Sequence, residues 1–226
     1  MTTKAAVGEL FDGLAPEYVR SRERQPSFRA QKRIVLEMLE GVRGRVLDVG
    51  CGPAIMEAEL LERGFEVAGV DVSEEMIRLG KARLAEHPLQ ARCHLRTGDA
   101  ENLPYPHGFF DAVLAMGVLE YLPDYSAALA EMRRVLRPGG VLILAVPSRV
   151  SPYRLLRSAF ELARRRRGFV PNRCIPWLLD LQLERMGLLK LEAKGCNLGL
   201  HGVMEGVQAA PWLGTQYVVK AGKRAF

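Results

Sequence analysis

The stretch RVLDVGCGPA, residues 45–54, decides the fold class of this 226-residue chain. An apolar run predicts a buried strand, and that strand leads directly to Gly50 and Gly52. Glycine weakens strands and helices, so two glycines at a strand end indicate a backbone that turns sharply and lets another molecule come close. The strand end is therefore the place to look for a ligand site.

From this stretch onward, short apolar runs alternate with longer helical patterns. Strands are predicted in RVLDVG, FEVAGVDV, RCHLRTGD, FFDAVLAM and VLILAVP, and helices in AIMEAELLERG, SEEMIRLGKARLAEH and DYSAALAEMRRVLRPGG. This alternation implies parallel βαβ units with right-handed crossovers. Two later strands, LLKLEAKG and WLGTQYVVKA, predict an antiparallel hairpin at the sheet edge.

The predicted fold is therefore α/β, a doubly wound, mostly parallel seven-stranded sheet with an antiparallel strand at its C-terminal edge. Amphipathic helical patterns precede the first strand. We expect residues 1–42 to form an N-terminal helical cap and residues 43–226 the core. A basic helical insertion is predicted at about residues 148–175 within that core.

Composition narrows the class of protein. The chain is 48% hydrophobic and 26% charged, which is typical of an ordinary globular protein. We expect a cytoplasmic location, because the N-terminus lacks a secretory pattern and the longest apolar runs are too short for a membrane helix. The four scattered cysteines form no C-x-x-C pair, so we expect reduced thiols and no metal site.

The net charge of +6 is concentrated in one segment. Between Arg149 and Arg173 lie eight arginines and one acid, Glu161, so this window carries +7 and the rest of the chain about −1. A protein that coats nucleic acid carries basic residues over a broader surface, so we expect no nucleic-acid partner.

Two ligands suit the glycine turn. A dinucleotide favours G-x-G-x-x-G, with its pyrophosphate at the helix N-terminus, but Ile55 occupies the third glycine position and Pro53 lies in the turn. The alternative is S-adenosylmethionine, which has no phosphates and needs only close approach of the backbone. Asp71 ends the second strand, where a carboxylate can accept both ribose hydroxyls of either ligand.

Three ordered motifs favour the second ligand. VLDVGCGPA, GVDVS and GDAENLPYPHGFFDAVLAMGVLEYLPD (residues 98–124), with LRPGG further on, resemble the motifs of class I S-adenosylmethionine-dependent methyltransferases. The resemblance covers roughly residues 40–147 and looks closest to the group of quinone-biosynthesis and small-molecule methyltransferases. Ala54 stands where that family usually has a third glycine, and we expect its methyl group to narrow the space near the ligand.

The resemblance implies S-adenosylmethionine as cofactor and assigns roles to particular residues. Asp99 would bind the adenine amino group, the Ala100 amide a ring nitrogen, and Gly117 and Val118 would line the sulfonium pocket. Tyr18 resembles a family tyrosine that reaches the carboxylate end of the cofactor, but it can equally be a packing residue. The implied cofactor-binding residues are Tyr18, Asp48, Gly50, Cys51, Gly52, Asp71, Val72, Asp99, Ala100, Met116, Gly117 and Val118.

We expect methyl transfer to an O, C or N atom of a small, apolar or lipid-like metabolite. A general base is needed only if the acceptor is protonated at working pH. Tyr121 and His201 are the candidate catalytic residues, and the alternatives are a packing aromatic and an exposed loop histidine. An NAD-dependent oxidoreductase and a non-catalytic S-adenosylmethionine-binding protein stay open as other functions. The sequence gives no oligomeric state.

The segment from Arg154 to Arg167 is predicted to be a basic amphipathic helix. It is either a solvated surface helix or a lid over the acceptor site that also contacts an anionic membrane peripherally.

If this helix contacts a membrane, the protein should co-sediment with anionic but not neutral vesicles, because each basic side chain near an anionic surface contributes about 1 kcal/mol of binding free energy. This attraction is electrostatic, so high salt should release the protein. Changing Arg164 to Arg167 to glutamine should abolish this binding, and equal sedimentation of both proteins would contradict the membrane contact.

Overall fold

The structure is a computed structural model that describes residues 4–151, 174–196, 211 and 214–224. Its strands belong to one seven-stranded sheet. The strands are β1 (Arg45–Val49), β2 (Glu66–Asp71), β3 (Cys93–Thr97), β4 (Phe110–Met116), β5 (Leu136–Pro147), β6 (Leu188–Cys196) and β7 (Gln216–Lys223). The helices are α1 (Lys4–Arg22), α2 (Pro26–Met38), α3 (Glu57–Glu62), α4 (Glu74–Leu84), α5 (Ser126–Val135) and α6 (Pro176–Arg185).

The sheet has the strand order β3-β2-β1-β4-β5-β7-β6. Neighbouring strands from β3 to β5 pair in parallel, and β7 pairs antiparallel with both β5 and β6. The strand order reverses direction between β1 and β4, which is where ligands bind in open sheets of this kind. The predicted fold class, including its antiparallel C-terminal edge, is confirmed.

Helices cover both faces of the sheet, and each face has its own apolar cluster. Successive strand residues point to opposite sides, so Val46 packs with α2, α3 and α4, whereas Leu47 packs with α5 and α6. The strands are apolar on both faces for this reason, as expected for a parallel sheet between helix layers. α1 instead contacts α4 and lies over the carboxyl ends of the strands.

The helix predicted to be ended by Pro138, Gly139 and Gly140 stops a few residues earlier. α5 stops at Val135, and β5 begins at Leu136, which pairs with Phe110 before a register shift. Pro138 disfavours helical geometry at Arg137, so the chain is already extended there. The apolar residues keep their helical spacing beyond Val135, so the sequence pattern did not indicate this end of the helix.

The helix predicted to begin at Ala54 also differs from the structure. Residues 52–56 form turns and α3 starts only at Glu57, because Ala54 has a φ of 54°. This left-handed conformation is strained for alanine and natural for the glycine that is usual at this position in the family that the sequence resembles. Ala54 is fully buried, and a Cβ on Gly80 would lie 3.1 Å from its methyl carbon. The residue is not among those that line the ligand cavities, so the expected narrowing of the ligand space is wrong.

The basic segment predicted to be helical, from Tyr153 to Arg167, lies outside the described residues, as does His201. The membrane contact therefore stays a prediction. Among the helices of the described part of the chain, none is both long and apolar enough to cross a membrane.

Candidate cofactor and active site

Two adjoining cavities open at the carboxyl ends of β1, β2 and β4. The larger extends from Gly50 past Asp71 to Tyr121, and the smaller lies beneath α1 around Asp48 and Arg22. Residues common to both cavities are Tyr18, Gly50, Gly52 and Met116. The site therefore lies at the switch in strand order, where the glycine turn follows β1.

Gly50 and Gly52 are both required by the local backbone. Their φ values are 73° and 54°, in a backbone region that residues other than glycine rarely adopt. A Cβ at Gly50 would meet Val118 Cγ2, whereas nothing lies within 4 Å of a Cβ at Gly52. The first glycine lets the loop after β4 come close, and the second leaves open space for a ligand.

Asp71 joins the loops that follow β1 and β2. Its Oδ2 accepts a hydrogen bond from the Gly52 N–H at 2.8 Å, and its Oδ1 accepts one from the Ser73 N–H at 2.9 Å. Burial raises the pKa of this carboxyl group, and these backbone N–H groups oppose the rise. Each carboxylate oxygen has a second acceptor position, so Asp71 can hold the turns and still accept ribose hydroxyls from the cavity that it lines.

α1 closes the site from above. Asp12 accepts hydrogen bonds from the Ser73 hydroxyl and the Glu75 N–H at the start of α4, which fixes the helix over the loops. Phe11 packs edge-on against Tyr121, with 5.0 Å between ring centroids, and against Tyr18 at 6.1 Å. The N-terminal helix thus supplies aromatic walls to the larger cavity.

Arg22 was missed by the sequence analysis. Its guanidinium lies over the rings of Tyr18 and Phe28, at 5.5 Å and 4.7 Å from their centroids, and lines the smaller cavity. It donates to Gln25, whereas its Nε is buried without a hydrogen-bond partner. The signal available in the sequence was its spacing, because a residue four positions after Tyr18 lies on the same helix face.

The smaller cavity also holds an anionic group. Asp48 is only 4% exposed, and its Oδ1 has no hydrogen-bond partner. Burial raises its pKa to about 7, the charge of Asp71 adds to the rise, and the neighbouring carboxyl group of Glu57 opposes it. Arg22 and Asp48 therefore present one cationic and one ionisable acidic group to the same space.

Tyr121 lines the larger cavity. Burial raises the pKa of its hydroxyl to about 12, and the nearby charge of Glu120 adds to the rise. The hydroxyl therefore keeps its proton at neutral pH, which suits a hydrogen-bond donor better than a general base. Its role as a catalytic residue stays a prediction, as does that of His201, which lies outside the described residues.

The structure brings the sequence-predicted cofactor residues together. All twelve line one or both cavities, and none is placed elsewhere. Asp99 accepts a hydrogen bond from the Glu101 N–H at 2.9 Å, which orients its loop at the cavity wall. The individual roles implied by the resemblance stay predictions.

Comparisons with known proteins agree with this geometry. Residues 47–144 match the family model described as a methyltransferase domain. A demethylmenaquinone methyltransferase of Staphylococcus saprophyticus is 36% identical over 149 residues, which cover 62% of this chain and 61% of the relative. The chain thus matches about three fifths of the length of this curated relative.

Solved structures show the same fold. An S-adenosylmethionine-dependent methyltransferase from Thermotoga maritima aligns with a TM-score of 0.73 at 22% identity, over 96% of this chain and 99% of that one. Magnesium protoporphyrin IX methyltransferase from Synechocystis PCC 6803, with bound S-adenosylhomocysteine, has a TM-score of 0.75 at 16% identity, over 99% and 100% of the chains.

The fold is the one found in class I S-adenosylmethionine-dependent methyltransferases, as the sequence predicted, and residues 47–144 match a methyltransferase domain. Within that class, the sequence similarity is to demethylmenaquinone methyltransferases, over about three fifths of the chain. S-adenosylmethionine is the cofactor of the class, which favours this interpretation over an NAD-dependent oxidoreductase.

The residues present fit that cofactor. The Gly52 backbone is open to close approach, and Asp71 and Asp99 line the larger cavity. The smaller cavity offers Arg22 and Asp48, both with buried polar atoms that lack partners, to a zwitterionic amino-acid group. Buried polar atoms of this kind are normally paired, so a ligand that pairs them is favoured.

Replacing Asp71 with alanine should lower both cofactor affinity and stability. It leaves the Gly52 and Ser73 N–H groups unpaired, so we expect the free energy of unfolding to fall by about 1–3 kcal/mol, with a similar loss of binding free energy. Urea unfolding and calorimetry with S-adenosylhomocysteine measure the two effects. Glu62→Gln, at an exposed position of α3, is the control, and unchanged stability of Asp71→Ala would contradict the bridging role.

The buried acid Asp48 should make stability depend on pH. Its pKa is about 7 in the folded protein and 3.8 ordinarily, so its contribution to stability is complete below about pH 4 and is lost as the pH rises to about 7. Urea unfolding of the ligand-free protein should show a free energy that declines between pH 5 and pH 8. In Asp48→Asn this decline should be smaller by about 1–3 kcal/mol, and equal declines would contradict the shift.

Proposed function

We propose that this protein transfers the methyl group of S-adenosylmethionine to a small, apolar acceptor. The observation that carries the proposal is the cavity at the switch in strand order, where the glycine turn, Asp71 and Asp99 face apolar and aromatic side chains from α1 and the loop after β4. The match of residues 47–144 to the methyltransferase domain family supports it.

The chain's own contribution is alignment and exclusion of water. The bound cofactor supplies an electrophilic methyl group on a sulfonium, and transfer to an acceptor in line with the breaking bond requires little covalent help from the protein. Asp71 and Asp99 hold the nucleoside part, and Arg22 and Asp48 hold the amino-acid part. Phe11 and Tyr121 form an aromatic wall that shields the reacting atoms from water.

The surroundings of Tyr121 favour an apolar acceptor. Leu122 and Pro123 line the larger cavity beside Tyr121. Pro123 also borders a third cavity, which lies at the end of β5. The described residues that line this third cavity are Leu119, Glu120, Pro123, Tyr125, Val146, Pro147 and Cys174. One acidic group among mostly apolar and aromatic side chains suits a ring or a chain with few polar atoms.

The test combines binding and transfer. The protein should bind S-adenosylmethionine and S-adenosylhomocysteine in the micromolar range by calorimetry and show no comparable binding of NAD. Labelled methyl transfer is then measured to a panel of acceptors that includes a short-chain demethylmenaquinone, simple phenols and polar amines. Transfer to the quinone or phenols, with Asp71→Ala as the impaired control, supports the proposal. Tight NAD binding without S-adenosylmethionine binding would overturn it, and cofactor binding without transfer would favour a non-catalytic binding protein.

Replacing Tyr121 with phenylalanine separates the hydroxyl from the ring. The ring packs on Phe11, so cofactor affinity should stay within about twofold. The hydroxyl keeps its proton at neutral pH, so its loss should reduce kcat by the effect of one hydrogen bond, about 3- to 30-fold. Tyr105→Phe, at a half-buried tyrosine that lines neither cavity, is the matched control. Unchanged kcat in Tyr121→Phe would leave only a packing role.

A further inference from the structure

Glu57 is a buried carboxyl group behind the cofactor cavity. It is the first residue of α3, it is 0% exposed, and it lines neither of the two cavities around Asp48. Neither of its carboxyl oxygens has a hydrogen-bond partner of regular geometry. A buried ionised carboxylate without partners is very costly, so a group in this position is stable only when protonated or paired.

The neighbour of Glu57 is Asp48: the two carboxyl groups are close enough to shift each other's pKa, and Asp48 Oδ1, like both Glu57 oxygens, is buried without a regular hydrogen-bond partner. Two ionised carboxylates have no proton to donate to each other, so the pair can form a hydrogen bond only when one of the two is protonated. Burial raises the pKa of Glu57 well above its usual range and the charge of Asp48 adds to the rise, while the N–H groups of Met56 and Glu57 oppose it. Glu57 is fully enclosed, whereas Asp48 lines the smaller cavity together with Arg22, so the proton belongs on Glu57 and Asp48 is the ionised partner.

The surrounding groups do not compete for this proton. Asp71 adds negative charge, which raises the pKa of both carboxyl groups. Burial raises the pKa of the Cys51 thiol well above its usual range and that of Cys93 to about 12, so both thiols stay neutral. Tyr18 also has a raised pKa, and the permanent cation of Arg22 lines the same cavity as Asp48.

We propose that Glu57 is a positioning residue that stays protonated and donates a hydrogen bond to Asp48, which keeps Asp48 ionised and oriented toward the cofactor's cationic amino group. The charges of the smaller cavity support this, because Arg22 suits the carboxylate of an amino-acid group and Asp48 its ammonium. The proposal rests on S-adenosylmethionine as the cofactor. Glu57 acts only through Asp48, since it does not line the cavity.

The experiment measures S-adenosylhomocysteine binding by calorimetry between pH 6 and pH 9 in the wild type, Glu57→Gln and Glu57→Leu. Glutamine keeps a donor for Asp48, whereas leucine fills the space without one. Wild-type affinity should fall as the pH drops below about 7, where Asp48 takes up a proton. Glu57→Gln should match it within about threefold at each pH, because a neutral donor is retained.

Glu57→Leu should bind about tenfold or more weakly at pH 7, because the hydrogen bond to a charged group is lost. The pH at which affinity falls should also move upward, since an unsupported buried carboxylate takes up its proton sooner. A mere packing defect would weaken binding equally at every pH. Glu62→Gln, at an exposed position of the same helix, should leave the profile unchanged.

Each other outcome overturns part of the argument. If Glu57→Gln loses as much affinity as Glu57→Leu, the negative charge of Glu57 is what matters and the proposal is wrong. If Glu57→Leu matches the wild type at every pH, Asp48 needs no support from Glu57. If Glu57→Leu does not fold, the profile of Glu57→Gln decides alone, by agreement within about threefold or by a shift. Absence of wild-type binding at any pH would instead overturn the cofactor assignment itself.

Discussion

The site depends on the carboxylate of Asp71 more than on any other single group. It accepts one hydrogen bond from the Gly52 N–H, in the turn after β1, and another from the Ser73 N–H, just before α4. The ends of β1 and β2 are therefore fixed relative to each other. The Ser73 side chain then caps α4 through the Met76 N–H and reaches Asp12 on α1. A chain of polar contacts thus runs from the sheet to the helix that closes the cavity.

This arrangement explains why an acid at the end of β2 has more than one task. A carboxylate has about four acceptor positions, and the backbone uses one on each oxygen. Positions that remain can accept hydroxyl groups from the cavity, so ligand binding adds to contacts that already order the loops. The site is largely preformed for that reason, which lowers the entropic cost of binding.

The sheet and the place of the cavity could be predicted from local patterns, whereas most of the lining residues were implied by the resemblance of the motifs to a known family. Apolar runs locate the strands, and glycines or acids at their ends must meet at one edge of a parallel sheet. Helix ends were less predictable, since the periodicity before Pro138 continues past the last helical residue, Val135. The left-handed Ala54 was also hidden, because nothing in an alanine indicates that a glycine conformation is imposed on it.

Arg22 and Glu57 escaped the sequence analysis for a different reason. In the sequence each is an ordinary charged residue of a helix, where solvation is the usual outcome. Burial comes from tertiary packing, when α1 lies over the strand ends and α3 packs on β2. Once buried, the arginine remains a cation, as guanidinium groups do in proteins, whereas the glutamic acid can avoid the cost of burial by keeping a proton. In the arrangement that we propose, one residue is a cation that lines the smaller cavity, and the other is a neutral donor behind the acid that lines the same cavity.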